Sequence, residues 1–410
     1  MTAKLNPTGK DRLVALDALR GIALLGIVLV NAVYFAMPLT FAEMRSLFTL
    51  STADQYAIVA TSIFAELKFI SIFSMLFGVG LAIQYERSLK AHSQFFPFVY
   101  RRLCVLGIFG LAHGIFLWYG DVLFTYACVG SIVVLIIGSS PKDLIKFSLP
   151  LLFMGSIAVF FFSLASTGSD VSSEAFLFKD KYGFDAIKAA NFEPANSAYI
   201  AAEKIAHAEG PYLDAMAFRS FHYVVALMIS TILCWTVSGM FCICAALWKT
   251  GFFNGTGTGV RWRKPLLLMG LLVGFPLEVF NGCVREYSSS HILLLMSESL
   301  HMLSAPLMAL GIVSACVQLV ERRRLPGARY FAAVGRMSLT AYLLESVFFV
   351  FVTDWWGLGL FGKLGPAALL LTSVLVYTAV VVFCTVWQRF FTIGPMERLW
   401  RSLSYMRVKV

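Results

Sequence analysis

Leu13-Val-Ala-Leu-Asp17-Ala-Leu-Arg20-Gly-Ile-Ala-Leu-Leu-Gly-Ile-Val-Leu-Val-Asn31-Ala-Val-Tyr-Phe35 carries three strongly polar side chains, Asp17, Arg20 and Asn31, in an otherwise apolar run. A helix that crosses a bilayer needs about 20 predominantly apolar residues, since the hydrocarbon is ~30 Å thick and each helical residue rises ~1.5 Å. The run meets that length. It exceeds the apolar core of a cleaved signal peptide, and no small-x-small cleavage site follows it. It therefore reads as an uncleaved first transmembrane helix, entered from a basic tail with Lys4, Lys10 and Arg12. Nine further stretches of this kind follow, at 57–83, 98–118, 122–138, 144–164, 221–247, 265–280, 292–319, 330–351 and 367–390. The 410-residue chain is 59% hydrophobic and 14% charged, against roughly a quarter charged in a soluble domain, so no aqueous core would hide its apolar surface. The sequence predicts an all-α, polytopic helix bundle of about ten transmembrane helices, a single transmembrane domain over 1–410.

The formal net charge of +10 would suit a nucleic-acid binder, but the basic residues sort by side of the membrane. With the N-terminus inside, the inner segments hold 22 of the 33 Lys and Arg and the outer segments 8. That positive-inside bias predicts cytoplasmic N- and C-termini and assigns the charge to topology and anionic lipid, with no nucleic-acid partner. Residues 1–166 then hold the first five spans, 167–217 an extracytoplasmic loop, 218–390 the last five spans and 391–410 a cytoplasmic interfacial tail. In the tail, Leu399, Trp400 and Leu403 stand among Arg398, Arg401 and Arg407, the pattern of a helix lying on the membrane surface. Within the loop, 185–190 and 198–208 have helix-forming composition. Two antiparallel halves of five spans are a plan many secondary transporters share, although no residue-level repeat links these halves. The eight cysteines are scattered, and the closest pair, Cys242 and Cys244, has no zinc or thiol-redox spacing, so no metal centre is expected.

Ionisable side chains near the bilayer centre cost at least a few kcal/mol each, so those present pair with one another, face a cavity or mark function. Asp17 lies one turn before Arg20, the spacing of an intrahelical ion pair. Arg20 and Asn31 stand three turns apart on one face, ~16 Å along the helix. In the third span His113 falls in the outer half, and a turn at Gly120 would bring Asp121 back to its imidazole. A carboxylate that fixes the tautomer of a histidine makes a general base; the alternative is a hydrogen-bonded packing histidine. In the ninth span Ser338, Tyr342 and Glu345 share a face. Glu66, Lys68, Glu278, Glu298 and His301 complete the interior charges, with no pairing readable from spacing. Asn31, His113, Asp121, Glu278 and Glu345 fall at one depth. Gly-x-x-x-x-Gly-Lys-Ser/Thr, His-Glu-x-x-His and Gly-x-Ser-x-Gly segments are absent, so the signatures of an ATP-driven pump, a zinc peptidase and a serine hydrolase are missing.

Five segments together carry a family resemblance: Leu16-Asp17-Ala-Leu-Arg20-Gly-Ile-Ala-Leu-Leu-Gly-Ile-Val-Leu-Val-Asn31, Phe69-Ile-Ser-Ile-Phe-Ser-Met-Leu-Phe-Gly78, Gly120-Asp121-Val-Leu-Phe-Thr-Tyr-Ala127, Gly335-Arg-Met-Ser-Leu-Thr-Ala-Tyr-Leu-Leu-Glu-Ser346 and Gly394-Pro-Met-Glu-Arg-Leu-Trp-Arg401. They run from end to end of the chain and resemble the YeiB-like family of bacterial membrane proteins of unassigned function. Departures fall at Glu345, where relatives often carry Gln, and at Arg398, where an aromatic is expected. The resemblance implies a multi-pass protein of the bacterial cytoplasmic (inner) membrane. Through the family's grouping with the transmembrane acyltransferases, it also implies transfer of an acyl group, such as acetyl, from cytosolic acyl-CoA to an extracytoplasmic acceptor. Acyltransferase-3 proteins carry Arg and His eleven residues apart on the first helix. Here Arg20 is followed by Asn31, which is similar to the heparan glucosaminide acetyltransferases, whose catalytic His lies elsewhere.

On that basis acyl-CoA is expected at the basic inner face, with Arg20, Asp17 and Arg101 or Arg102 around its phosphates or pantetheine. His113, oriented by Asp121, would deprotonate a hydroxyl or amine on a small-molecule, lipid or glycan acceptor. Asn31 would polarise the acyl carbonyl, and Glu345 joins the catalytic set. The lipid bilayer is the expected partner, and the same reading allows a homodimer. The rival expectation is a secondary transporter or exporter of a small hydrophobic or anionic solute, with Glu66, Lys68, Glu298 and His301 carrying protons or substrate.

Overall fold

The computed structural model describes residues 14–42, 48–166 and 197–405. The expected basic tail with Lys4, Lys10 and Arg12, the stretch 185–190 and Arg407 lie outside the described residues. In chain order the helices are α1 (Val14–Ala36), α2 (Thr52–Phe64), α3 (Lys68–Lys90), α4 (Phe95–Phe116), α5 (Leu123–Val133), α6 (Pro141–Ser166), α7 (Ser197–Ala208) and α8 (Tyr212–Lys249). They continue as α9 (Arg263–Met269), α10 (Phe275–Tyr287), α11 (His291–Glu321), α12 (Ala328–Arg336), α13 (Ser338–Thr353), α14 (Pro366–Phe390) and α15 (Pro395–Tyr405). No strand occurs among the described residues, as lipid requires: with no water to bond exposed N–H and C=O groups, a spanning segment satisfies its own backbone.

Among the described residues eight spans are long and apolar enough to cross a membrane, with α2 running into α3 and α9 into α10, and the pair α12 and α13, bent by 92°, makes a ninth. The stretch predicted at 122–138 yields only α5, an apolar helix of 11 residues, ~16 Å long and about half a bilayer. Two predicted boundaries also shift. The ninth stretch breaks at Met337, whose φ of −121° and ψ of 38° leave the helical region. The first N–H groups of α13 lose their helical partners there, and the Glu397 carboxylate of α15 accepts from Leu339 N at 2.7 Å and Thr340 N at 3.1 Å, which a negative charge at a helix N-terminus favours. The sixth predicted span, helix α8, starts at Tyr212, inside the predicted loop, because its polar first turns find partners: Arg219 pairs with Asp354, and His222 meets the Tyr199 hydroxyl at 2.7 Å.

Helix α1 stands at the centre, with one face in an apolar cluster with α4, α13 and α14 and the other in a cluster with α3, α8 and α11. Side chains on the rim, such as Phe153, Ile157 and Phe161 of α6, are exposed and face the hydrocarbon. Small residues let the inner helices touch, the usual device where lipid supplies no hydrophobic drive between spans. Gly335, at the end of α12, lies against α1 so closely that a Cβ there would overlap the Asp17 carbonyl oxygen. The start of α1, the end of α3, the start of α4, Trp248 near the end of α8, and α15 border one cavity and hence one face of the bundle. α15 is fastened there: the Trp400 indole N–H donates to the Arg102 carbonyl at 3.0 Å, and the Arg102 guanidinium stacks 4.1 Å from the Trp400 ring centre.

The α1–α12 contact makes a direct prediction. Gly335→Ala is expected to destabilise the protein by about 1–3 kcal/mol, the usual cost of overpacking, whereas Gly80→Ala, with open space around the added methyl group, is expected to be near neutral. Melting temperatures of the two variants in detergent check this; equal values would contradict the close approach.

Candidate active site

The cavity has a volume of about 540 Å³, within the range of small-molecule sites. Its lining runs along α3 from Phe73 to Lys90, ~26 Å by helical rise. At one end stand six cations, Arg20, Arg87, Lys90, Arg102, Arg336 and Arg401, and the acids among the described lining residues are Asp17 and Glu86. Some of these are held by neighbours: Arg20 bonds Asp17 one turn before it at 3.3 Å, and Glu86 accepts from the Trp248 indole at 3.1 Å. The inner part is aromatic and apolar, walled by Phe73, Leu106, Leu123, Tyr126 and Tyr342.

Behind Tyr342 lies His113, with ring centres 5.1 Å apart. His113 sits in the last turn of α4. The chain then turns into α5 so tightly that a side chain on Gly110 would collide with the Phe124 amide and the Asp121 carboxylate. That closeness delivers Asp121: its Oδ1 lies 3.0 Å from His113 Nδ1, and its Oδ2 accepts the Phe124 N–H at 2.8 Å. Both side chains are shut off from solvent. A carboxylate only accepts, so Nδ1 carries the ring proton and Nε2 is the bare nitrogen. Nε2 meets the Ser346 hydroxyl of α13 at 2.9 Å. Hydroxyl, imidazole and carboxylate thus stand in a hydrogen-bonded line, an arrangement able to move a proton to or from a reacting oxygen, nitrogen or sulfur.

The structure divides the other residues expected at the site. Arg20, Asp17 and Arg102 line the cavity; Arg101 does not. Asn31 is half-buried on α1, and its side chain makes no hydrogen bond among the described residues. Glu345 is buried beside Ser346, and its Oε1 has no hydrogen-bond partner among the described residues. Glu278, expected at the same depth as His113, belongs to a separate cluster between α3, α10 and α11. There it pairs with the fully buried Lys68, lies 3.0 Å from His301 Nδ1 and accepts from Ser304. Beside it Arg285 grips Glu66 at 2.7 and 3.1 Å, and Glu298 takes the Ser163 hydroxyl.

Ser346 was not among the expected residues. Its one signal is position: it ends the Gly335–Ser346 motif and stands one turn after Tyr342, but the partner it meets is 233 residues away. A further polar group lies on the outer side, where α7 packs on α8. Burial pushes the Glu203 carboxyl up to about 8, with the Leu39 N–H and Lys204 pulling the other way, and burial lowers the basicity of His207 beside Asp354.

The Lys68–Glu278 pair answers its own charge, which fits a structural role. Glu278→Leu leaves an unpaired buried ammonium and is expected to cost about 3–5 kcal/mol, whereas Glu278→Leu with Lys68→Met is expected to recover most of that loss. Thermal unfolding of the single and double variants checks it; losses that simply add would contradict the pairing.

Residues 247–407 match the family described as "Protein of unknown function (DUF418)". The chain is 29% identical to the uncharacterized protein YxaH of Bacillus subtilis (strain 168), over 98% of this chain and 97% of that protein. It is 28% identical to the uncharacterized protein YeiB of Escherichia coli (strain K12), over 96% of each. To an uncharacterized 39.9 kDa protein from the amylase 3' region of Bacillus acidopullulyticus it is 24% identical, over 97% of this chain and 95% of that one.

Proposed function

We propose that this chain, which resembles the YeiB-like family of multi-pass membrane proteins, is an acyltransferase, taking an acyl group from acyl-CoA at its basic face and passing it to a hydroxyl or amine acceptor from the other side. One observation carries the reading: a single cavity joins a six-cation mouth to an aromatic floor that backs onto the His113–Asp121 pair. Acyl-CoA has the matching polarity. Its nucleotide end is a cluster of phosphates, which arginine forks bind in bidentate fashion, and its pantetheine arm and acyl group are long and thin. His113 takes the proton of the attacking group at Nε2, and Asp121 steadies the imidazolium that results. The acceptor is a small molecule, a lipid or a glycan, met within the bilayer or at its outer face. The positive-inside bias turns the basic face to the cytosol, and the bacterial relatives suit the cytoplasmic membrane. This reading assigns no step to Asn31 or Glu345.

Protein reconstituted in nanodiscs with labelled acetyl-CoA and a panel of lipid and glycan acceptors tests it. Transfer is expected to fall at least about 100-fold in His113→Ala, the usual weight of a general base, and the Arg87→Ala, Lys90→Ala double variant is expected to raise KM for acyl-CoA with kcat largely kept. A wild-type rate in His113→Ala would remove the base. Proton-coupled solute flux in vesicles, independent of acyl-CoA, would overturn the reading in favour of a transporter.

A further inference from the structure

We propose that Ser346 is the nucleophile of the transfer, so that the acyl group rests on this chain as a serine ester between donor and acceptor; the proposal rests on the acyltransferase reading. The first support is the order of the hydrogen bonds. Asp121 is held on both oxygens, by His113 Nδ1 at 3.0 Å and the Phe124 amide at 2.8 Å, and the free imidazole nitrogen faces the Ser346 oxygen at 2.9 Å. A weakly acidic hydroxyl becomes a nucleophile when an oriented base receives its proton, and this is that arrangement.

The second support is that Ser346 is among the helical serines, with Ser156, Ser163, Ser297, Ser304 and Ser314, whose hydroxyl bonds a group outside its own helix, and of these it is the one that bonds an imidazole. In a span, a serine ordinarily returns its hydroxyl to the carbonyl four residues earlier. Ser74, Ser131, Ser238 and Ser373 do so at 2.7, 2.7, 2.6 and 2.8 Å. For Ser346 the same bond, to the Tyr342 carbonyl, is stretched to 3.4 Å, and the closer partner is His113. Its hydroxyl is aimed at the base although the backbone offers it a local alternative.

The third support is location. Tyr342 forms the cavity floor, and Ser346, 1% exposed and outside the cavity lining, is one helical turn beyond it, so that a swing of the Tyr342 ring is what would open the floor onto the Ser346 hydroxyl. A donor entering by the basic mouth brings its thioester to that floor. The acceptor approaches from the side where α4 ends. A resting ester lets one substrate leave before the other arrives.

The step balances. Ser346 Oγ forms a bond to the thioester carbonyl carbon, the carbon–sulfur bond breaks, and the hydroxyl proton passes through His113 Nε2 to the sulfur, so that CoA leaves as its thiol. The acceptor's hydroxyl or amine then attacks the ester carbonyl and gives its proton to Nε2. The bond to Oγ breaks, and the proton returns to Ser346. Asp121 stays ionised throughout.

Isotope exchange separates this inference from the reading it rests on. Protein in nanodiscs is mixed with acetyl-CoA or palmitoyl-CoA and tritiated CoA, without acceptor, and acyl-CoA binding is measured in parallel by calorimetry. The proposal expects label to enter acyl-CoA and a hydroxylamine-sensitive acyl group on Ser346, located by peptide mass spectrometry. Exchange is expected to drop at least about 1000-fold in Ser346→Ala. The Ser346→Cys variant, with a melting temperature near wild type, is expected to carry the acyl group as a thioester. Binding and transfer to an acceptor without exchange, or exchange undiminished in Ser346→Ala, would overturn the nucleophile and leave the acyltransferase standing. Failure to bind either acyl-CoA would overturn both.

Discussion

Lipid offers no hydrogen bonds, so the polar atoms this chain carries into the bilayer are for the most part answered by another part of the chain, with exceptions such as Glu345 Oε1 and His301 Nε2 among the described residues. That constraint shapes the protein at each level. It makes the elements helical, and it lets α13 begin inside the bundle only because the Glu397 carboxylate takes its first N–H groups. It gathers the interior charges into groups that neutralise themselves: Asp17 with Arg20, Lys68 with Glu278 and His301, and Glu66 with Arg285.

Against that background the line from Asp121 through His113 to Ser346 differs in kind. The Lys68 and Arg285 groups each pair a cationic side chain with a carboxylate, and His301, beside Glu278, leaves its Nε2 without a hydrogen-bond partner among the described residues. The His113 group contains one carboxylate and an imidazole, and it ends on a hydroxyl drawn away from its own backbone carbonyl. It also adjoins the floor of the large cavity. Where a polar chain in a dry interior leads to a cavity whose far end is cationic, proton transfer is the natural use of it.

Much of this was legible before folding. Apolar runs of spanning length and the sorting of Lys and Arg are local properties, so the spans and the basic face follow from them directly. The turn at Gly120 was enough to place Asp121 near His113, because only eight residues separate them. Contacts between distant segments were not legible. Nothing in the spacing of 278 and 68 announces a salt bridge, and Ser346 is one of several serines in apolar helices until α13 is set against α4. The bend at Met337 is hidden for a related reason: no Pro or other helix breaker interrupts Ala328–Thr353, and the break depends on a cap supplied by α15. The early start of α8 at Tyr212 likewise depends on Asp354 and Tyr199, which answer its polar residues from elsewhere in the chain.

The central claim is that the basic cavity is the entrance for an acyl donor whose reactive end reaches His113. The most direct measurement is an electron cryo-microscopy structure of the protein with a non-hydrolysable acyl-CoA analogue. The account predicts phosphate density among Arg87, Lys90 and Arg401, an extended arm along α3, and the carbonyl within ~3.5 Å of Ser346 Oγ, the reach of a near-attack geometry. An analogue bound elsewhere, or a cavity that holds it with the phosphates at Tyr342 and the acyl end at the basic mouth, would contradict it.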